Sequence, residues 1–213
     1  MSRHDFDVLI GGGGMVGAAL AALLAARSGP KGLRVALVEP RPALAPLSQE
    51  PLDIRVSAIS RAGQQLMSEV GAWSLLLSRR PCAYERMIVW DSEEPVTGPQ
   101  TLAFDAAELG EPDLGHIVEN RAVAAALLER AVALRVTLLR SPVTALSLHR
   151  DQATVHLGER TVTASLVIAA DGADSPMRHL AGLGGEPSPY PQTAIVTHLK
   201  PAQSHGEIGR AHV

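Results

Sequence analysis

The stretch of sequence that decides the fold is DFDVLIGGGGMVGAAL, residues 5–20. Its apolar run Val8–Ile10 predicts a buried central strand of a parallel sheet. The glycines that follow have the spacing G-x-G-x-x-G at Gly12, Gly14 and Gly17, and the alanine-rich segment after them predicts a helix. The stretch therefore predicts a strand, a tight turn and a helix.

The three glycines have separate physical roles in such a turn. The first permits the tight bend, the second lets a pyrophosphate approach the backbone, and the third lets the helix pack closely on the strand. The first helical turn, with Met15 and Val16, offers free N–H groups and a positive dipole end to an anion. We predict a dinucleotide site here, and a plain strand–turn–helix packing device is the alternative. Its residues are Gly12, Gly14, Met15, Val16 and Gly17.

The composition indicates a globular protein that does not bind nucleic acid. Of its 213 residues, 46% are hydrophobic and 19% are charged, which is enough to bury a core. The formal net charge of -3 comes without any block of Lys and Arg. Cys82 is the only cysteine, which excludes an internal disulfide and suits a reducing compartment. We predict no transmembrane segment, because glycines interrupt the apolar stretch Val8–Ala26 and Asp5 and Asp7 precede it.

A second strand is predicted at Leu33–Glu39, after a helix over Met15–Ser28, which completes a βαβ unit. Glu39 follows Gly17 by 22 positions (39 − 17 = 22). An acidic residue at this place is positioned to accept hydrogen bonds from the ribose of an adenosine, and a solvated charge is the alternative. The carboxylate also favours a cofactor that has no 2′-phosphate at this site.

The rest of the chain predicts a mixture of helices and short strands. Ser60 and Asn120 are predicted N-caps of helices over Arg61–Val70 and Arg121–Ala133. The apolar run Leu166–Ala170, which ends at Asp171-Gly172, predicts a second buried central strand. Pro40–Pro51 is predicted to be a loop. The other predicted strands are Arg86–Trp90, Thr101–Phe104, Leu114–Val118, Arg135–Leu139, Val143–His149, Ala153–Leu157, Thr161–Ala164 and Thr193–Leu199.

Three separated motifs together resemble the FAD-dependent aromatic hydroxylases, the single-component flavin monooxygenases. The glycine motif with Glu39 is followed by DIRVSAIS at Asp53–Ser60 and by DGADSPMR at Asp171–Arg178. The last of these is similar to the D-G-x-x-S-x-x-R fingerprint of that class. Asp53–Ser60 and Leu114–Arg121 resemble more narrowly the ubiquinone-biosynthesis hydroxylases. The resemblance covers residues 5 to 206.

The resemblance implies further cofactor-binding residues outside the glycine turn. It implies that Arg55 and Arg121 contact FAD, and that the backbone of Val143 meets the adenine. It also implies that Asp171 and Gly172 organise the backbone near the pyrophosphate, at the sheet edge where such ligands bind. A surface ion pair is the alternative for Arg55. Because the flavin carries the chemistry in these enzymes, the resemblance implies no catalytic side chain and no metal.

The fold class implied is α/β, a Rossmann-like FAD/NAD(P)-binding domain with a parallel central sheet and a small β-meander. The FAD-binding domain is expected at residues 1–182, with inserted strands at about 84–118 that belong to the substrate side. A truncated substrate domain is expected to start at 183–206. Residues 207–213 are expected to be a non-native tail, because Ile208–Val213 can be back-translated into a sequencing adapter, and a genuine short paralogue or a degraded gene is the alternative. The Gly-Asp…Ala-Ala-His motif of the family's second half does not occur in this sequence.

The function implied is hydroxylation of the aromatic ring of a polyprenylphenol or benzoquinol in ubiquinone biosynthesis. FAD is the implied cofactor and NAD(P)H the electron donor. The chain is expected to be the N-terminal half of the enzyme and inactive alone. The implied partners are a polyprenylated aromatic substrate and other ubiquinone-biosynthesis proteins, in the cytoplasm and peripheral to the inner membrane. Another FAD-dependent monooxygenase or reductase, and a non-catalytic nucleotide-binding module, remain alternatives.

Overall fold

The predicted strand–turn–helix is present at the start of the chain. A computed structural model describes residues 4–29, 32–42, 52–91, 93–185 and 191–212. Strand β1 (Phe6–Gly11) leads through the glycine turn into helix α1 (Met15–Arg27), and strand β2 (Val35–Val38) returns parallel to β1. The predicted βαβ unit is therefore confirmed.

The described ranges contain four further helices and ten further strands. The helices are α2 (Arg61–Glu69), α3 (Ala72–Leu76), α4 (Asn120–Ala133) and α5 (Pro176–Leu180), with short 3-10 turns at Leu77–Arg79 and Ala106–Leu109. The strands are β3 (Val56–Ser60), β4 (Cys82–Tyr84), β5 (Arg86–Trp90), β6 (Leu102–Asp105), β7 (Gly115–Glu119), β8 (Thr137–Leu139), β9 (Ala145–Leu148), β10 (Ala153–Leu157), β11 (Arg160–Ala169) and β12 (Ile208–His212).

These strands form one large sheet and two small ones within the described ranges. The large sheet has the order β8-β2-β1-β11-β10-β9, and its first four strands are parallel. Strands β10 and β9 continue it as an antiparallel meander. The small sheets have the orders β12-β5-β6 and β3-β7-β4. The predicted α/β fold with a parallel central sheet and a β-meander is confirmed.

The large sheet separates two apolar clusters. On one face, α1 and α4 pack against Val8, Ile10 and Leu37. Small side chains let the two helices approach closely, because Ala18 and Ala22 of α1 are fully buried there. The second cluster, on the other face, includes Phe6, Leu9, Ala36, Val38, Val155, Val162 and Met177. No helix among the described residues is long and apolar enough to cross a membrane.

The prediction of a second buried central strand over Leu166–Ala170 is right about the strand's central place in the sheet and wrong about its start and its burial. It is continuous with the predicted strand Thr161–Ala164, and both belong to the ten-residue strand β11. Leu166 is also 52% exposed. Its register partner Val8 is buried under the helices, so the helical layer ends before it covers Leu166.

The predicted strand over Thr193–Leu199 is absent as well. These residues have no strand pairing within the described ranges, and Ile195 is 92% exposed. An extended segment becomes a strand only when a neighbour accepts its backbone hydrogen bonds. Strand β12 instead pairs in parallel with β5, and it lies in the stretch for which a non-native tail is expected. Most of the predicted loop Pro40–Pro51 lies outside the described residues.

Of the two predicted N-caps, one is confirmed and one is wrong. The Ser60 hydroxyl accepts a hydrogen bond from the Gly63 N–H at 3.3 Å, as a cap of α2 should. Helix α4 begins one residue early, so that Glu119 is its N-cap and Asn120 lies inside the helix. The Asn120 amide oxygen instead accepts a hydrogen bond from the Ser57 hydroxyl at 2.7 Å, which ties α4 to β3.

Candidate functional site

The three glycines of the motif differ in what surrounds them. Gly12 has φ of 101°, and a Cβ there would lie 2.4 Å from the carbonyl oxygen of Ala170. At Gly17, a Cβ would lie 1.9 Å from the carbonyl oxygen of Gly12. At Gly14, a Cβ would meet no atom within 4 Å. Gly12 therefore serves the turn, Gly17 serves close packing, and Gly14 leaves open space in front of the helix.

The first turn of α1 faces this space with its backbone. Gly14 is the N-cap, and no side chain caps the helix there. Because no side chain accepts from the first N–H groups, the helix end keeps its capacity to bind an anion. Met15 packs against the helical side of the core, whereas Val16 is 73% exposed.

Glu39 follows β2 and reaches across to the glycine turn. Its Oε2 accepts a hydrogen bond from the Gly13 N–H at 2.8 Å, and its Oε1 accepts one from the Arg41 N–H at 3.0 Å. A carboxylate has about four acceptor positions, so both oxygens keep capacity for the hydroxyl groups of a ligand. Glu39 is therefore not simply a solvated charge, the alternative considered from the sequence. Both of its carboxylate oxygens accept hydrogen bonds from backbone N–H groups.

Asp171 and Gly172 lie beside the glycine turn because β11 runs next to β1. The backbone N–H of Ala170 donates to the carbonyl of Gly11 at 2.7 Å. The Asp171 Oδ2 accepts from the Met177 N–H at 2.9 Å, and the Ser175 hydroxyl donates to Oδ1. The Asp171 carboxylate therefore organises the backbone between β11 and α5.

A cleft of about 490 Å³ opens at this edge of the large sheet. It lies at the carboxyl ends of β1, β2 and β11, where ligands of open parallel sheets bind. The cleft brings together six of the predicted cofactor-binding residues, namely Gly12, Gly14, Glu39, Val143, Asp171 and Gly172.

Other predicted residues do not line this cleft. Gly17 lies behind the turn, in the packing contact described above. Arg55 and Arg121 lie together elsewhere, at the junction of β3 with α4, where the Asn120 N–H donates to the Arg55 carbonyl at 3.0 Å. Arg121 Nη2 lies 3.5 Å from the Glu119 carboxylate.

Met177 and Arg41 are among the lining residues that the sequence reasoning missed. Met177 lines the cleft and is buried, and its sulfur occupies the space that a Cβ on Gly11 would need, 1.8 Å away. The available signal was Gly11, the first of four consecutive glycines. The motif does not require a glycine at this position, so another group had to occupy the space of its side chain. Arg41, at the rim of the cleft, follows Glu39 by two positions and gave no signal of its own.

The residues present fit an adenine dinucleotide. The open space at Gly14 and the uncapped helix end suit a pyrophosphate, and the Glu39 carboxylate suits a ribose. Val143, which packs at the edge of the second apolar cluster, gives the cleft an apolar wall. No group of three or more His, Cys, Asp or Glu side chains in the described ranges is arranged to hold a metal ion.

Comparison with known proteins identifies the family. A family profile described as FAD binding domain matches residues 5–206. The chain belongs to this family of FAD-binding domains. The predicted recognition is thereby confirmed, and FAD is the cofactor of the family.

The similar curated proteins act in ubiquinone biosynthesis by name. The chain is 35% identical to the 3-demethoxyubiquinol 3-hydroxylase of Escherichia coli, over 97% of this chain and 51% of that protein. It is 37% identical to the ubiquinone hydroxylase UbiL of Rhodospirillum rubrum, over 93% of this chain and 44% of that protein. The mitochondrial ubiquinone biosynthesis monooxygenase COQ6 of Mus musculus is 36% identical over 91% of this chain. The chain thus spans about half the length of these relatives.

Solved structures share the fold at lower sequence identity. The ternary complex of aklavinone-11 hydroxylase with FAD and aklavinone has a TM-score of 0.61 and 23% identity, and covers 85% of this chain and 36% of that one. The Diels-Alderase PyrE3 has a TM-score of 0.60 and 23% identity, and covers 82% of this chain and 34% of that one. These likenesses support the mixed α/β fold.

Proposed function

We propose that this chain carries the FAD-binding half of a monooxygenase of ubiquinone biosynthesis. The full enzyme would use NAD(P)H and O₂ to hydroxylate the aromatic ring of a polyprenylphenol or benzoquinol. The observation that carries the proposal is the cleft at Gly14 and Glu39, in a chain whose curated relatives are ubiquinone hydroxylases. When bound, the flavin supplies the redox chemistry with O₂, so the protein has to bind, orient and shield it.

Each part of the cleft has a task in holding the cofactor. The N–H groups at the start of α1 and the bare backbone at Gly14 hold the pyrophosphate. Glu39 accepts hydrogen bonds from the adenosine ribose, and the backbone of Val143 meets the adenine. Asp171 keeps Gly172 in place beside the pyrophosphate, with φ of 94° at the glycine.

Arg55 and Arg121 form a second contact region for the cofactor, outside this cleft. Arg55 lies just before β3, and its backbone carbonyl accepts a hydrogen bond from the Asn120 N–H next to Arg121, so the two residues are neighbours and neither lines the cleft. A guanidinium suits the ribityl and phosphate oxygens of the flavin part.

A full-length enzyme with this substrate would work at the membrane surface, since the polyprenyl chain of its substrate is dissolved in the lipid. We place it in the cytoplasm, peripheral to the inner membrane and in contact with other ubiquinone-biosynthesis proteins.

The first test is binding of FAD to the 213-residue chain, measured by quenching of flavin fluorescence. Gly14→Ala is expected to weaken binding at least about tenfold, or about 1.4 kcal/mol, because its methyl group would fill the space for the pyrophosphate. The matched control is Gly185→Ala, which also meets no atom within 4 Å but lies outside the cleft. Equal affinity of the Gly14→Ala protein and the wild-type chain would overturn the cofactor site.

The second test concerns the reaction. The chain is fused to the second half of the Escherichia coli relative and supplied with NADH or NADPH, O₂ and a short-chain polyprenylphenol. The proposal expects NAD(P)H oxidation that depends on the phenol and a product with one more oxygen atom, whereas the 213-residue chain alone is expected to be inactive. Oxidation without any oxygenated product would favour a reductase instead. Binding of FAD without any oxidation by the folded fusion would favour a non-catalytic module.

A further inference from the structure

Gly11 lacks a side chain for a reason that lies outside its own backbone. It is the last residue of β1, it pairs with Val38 of β2 and with Ala169 of β11, and its φ is not positive. Any L residue can adopt such a conformation. A Cβ at Gly11, however, would lie 1.8 Å from the Met177 sulfur and 3.0 Å from its Cε. The missing side chain leaves a space that the Met177 thioether fills, and we call this space the Gly11 notch.

The backbone of Met177 is fixed on both sides of its side chain. Its N–H donates to the Asp171 Oδ2 at 2.9 Å, and its carbonyl accepts a hydrogen bond from the Ala181 N–H at 2.9 Å. The side chain is buried in the second apolar cluster, with Leu9 and Val38. An unbranched thioether suits a narrow and irregular gap of this kind. Met177 therefore ties α5 to the end of β1, where the glycine turn begins.

Met177 also lies between two spaces. Asp171, Gly172 and Met177 line both the cofactor cleft and an apolar cavity of about 340 Å³ beside Val167 of β11. Gly172 has no side chain, and the Asp171 carboxylate is engaged with the Ser175 hydroxyl and the Met177 N–H. The Met177 side chain therefore supplies the apolar part of the wall that the two spaces share.

The position of this wall gives Met177 a task beyond packing. Gly12 and Gly14 line the same cleft, so Met177 lies beside the place where the pyrophosphate and the adenosine are proposed to bind. The side chain of Met177 is flexible, so a methyl group at Gly11 would displace its sulfur before it displaced a strand. Movement into the cleft would take volume from the cofactor, and movement into the cavity would leave a gap in the wall. Either movement would weaken binding.

We propose that Met177 is a further binding residue of the cofactor site. Its thioether, seated in the Gly11 notch, forms the wall of the cleft against the ADP half of FAD. Gly11 and Met177 are then a pair matched in size, in which a change at one residue depends on the side chain at the other. The inference rests on the proposed FAD site and is independent of the reaction that the full enzyme catalyses.

The test is a double-mutant cycle in the 213-residue chain. Affinity for FAD is measured by quenching of flavin fluorescence, and affinity for ADP by titration calorimetry. Gly11→Ala and Met177→Ala are each expected to weaken both ligands about tenfold. In the Met177→Ala background, Gly11→Ala is expected to cost less than about twofold, because the sulfur that its methyl group would meet is gone. Met177→Leu keeps most of the volume and should bind FAD within about threefold of the wild type.

Met67→Ala is the matched control. Met67 is a buried methionine of α2 in the first apolar cluster and does not line the cleft. Its substitution is expected to lower the melting temperature about as much as Met177→Ala and to leave both affinities unchanged. An equal loss of affinity in Met67→Ala would show that binding merely follows stability, and would overturn the inference.

Three further outcomes would also overturn it. The first is that the losses from Gly11→Ala and Met177→Ala simply add in the double variant. The second is unchanged affinity of Gly11→Ala while the wild-type chain binds, and this comparison decides alone if Met177→Ala does not fold. The third is a wild-type chain that binds neither FAD nor ADP, which would refute the proposed cofactor site as well, whereas the first two leave that site standing.

Discussion

Glu39 is the residue whose chemistry is most closely tied to the glycine turn. Each of its oxygens accepts one backbone N–H, from Gly13 and from Arg41. In Glu39→Gln, an NH₂ group replaces one of these oxygens and faces a backbone donor, so one hydrogen bond is lost. We expect FAD to bind about tenfold more weakly and the chain to lose about 1 kcal/mol of stability. Flavin titration and thermal unfolding measure both effects.

The control for Glu39→Gln is Glu159→Gln, an equal chemical change in the exposed turn between β10 and β11. It is expected to alter neither quantity. If Glu39→Gln lowered stability and left the flavin affinity unchanged, Glu39 would hold the turn without touching the ribose.

Gly17 allows a second prediction, because the structure separates its role from that of Gly14. The methyl group of Gly17→Ala would lie 1.9 Å from the carbonyl oxygen of Gly12, so α1 must move away from β1. Overpacking of this kind costs about 1–3 kcal/mol. We therefore expect a lower melting temperature for Gly17→Ala and an unchanged one for Gly14→Ala, whose φ is -67° and whose Cβ meets no atom. Equal melting temperatures for the two variants would contradict this division of roles.

At the scale of elements, the loop between β11 and α5 depends on one buried hydroxyl. Ser175 accepts a hydrogen bond from the Arg178 N–H at 3.0 Å and donates to Asp171. Ser175→Ala removes both bonds and leaves a carboxylate oxygen without its donor, so we expect a loss of about 1–2 kcal/mol and weaker flavin binding. Ser60→Ala is the matched control, since it removes the cap of α2 far along the chain from the cleft. It should lower stability by about 1 kcal/mol and leave flavin affinity unchanged.

The start of β1 carries an ion pair that makes stability depend on pH. Arg34 donates hydrogen bonds to Asp7 from its backbone and its guanidinium, with Nη2 at 2.7 Å from Oδ1. Hydrogen bonding from Arg34 lowers the pKa of the Asp7 carboxyl. Because the folded pKa lies below the unfolded one, the stabilisation is present above about pH 4 and is lost as the pH falls further. Asp7→Asn should therefore flatten the acid limb of a plot of melting temperature against pH, and an unchanged limb would refute the assignment.

Sequence patterns predicted those elements whose neighbours are close along the chain. The glycine turn, α1 and β2 form one continuous unit, so periodicity and spacing were sufficient there. The exposure of Leu166 was not predictable, because it depends on how far the helical layer extends over β11. Thr193–Leu199 has the pattern of a strand but no partner in the described ranges, and pattern alone cannot supply one. Arg55 and Arg121 came from resemblance, and their place outside the cleft depends on the pairing of β3 with β7, which leads into α4.

At the scale of the whole molecule, cofactor binding and stability reside in the same sheet. Strands β1 and β2 are almost completely buried between the two apolar clusters, and the glycine turn extends directly from β1. Among the residues whose burial the structure describes, the β12-β5-β6 sheet contributes none to either cluster, and Leu102 and Phe104 of β6 are more than half exposed. The large sheet and the β12-β5-β6 sheet are therefore expected to differ in local stability, because the free energy of local opening is lower where fewer apolar contacts are buried.

Hydrogen exchange on the cofactor-free chain tests this difference. Amides of β1 and β2 are expected to exchange only through global unfolding, whereas those of β5 and β6 should open locally and exchange about 100-fold faster or more. Strand β7 is the internal reference. Its sheet is as small as that of β5 and β6, but Val118 of β7 is buried in the apolar cluster formed by α1 and α4. Adding FAD should slow exchange in β1 and β2 further, because a ligand that binds only the folded form stabilises it. It should leave β5 and β6 unchanged, since they open without disturbing the cleft, and equal slowing in all four strands would show that the chain unfolds as one cooperative unit.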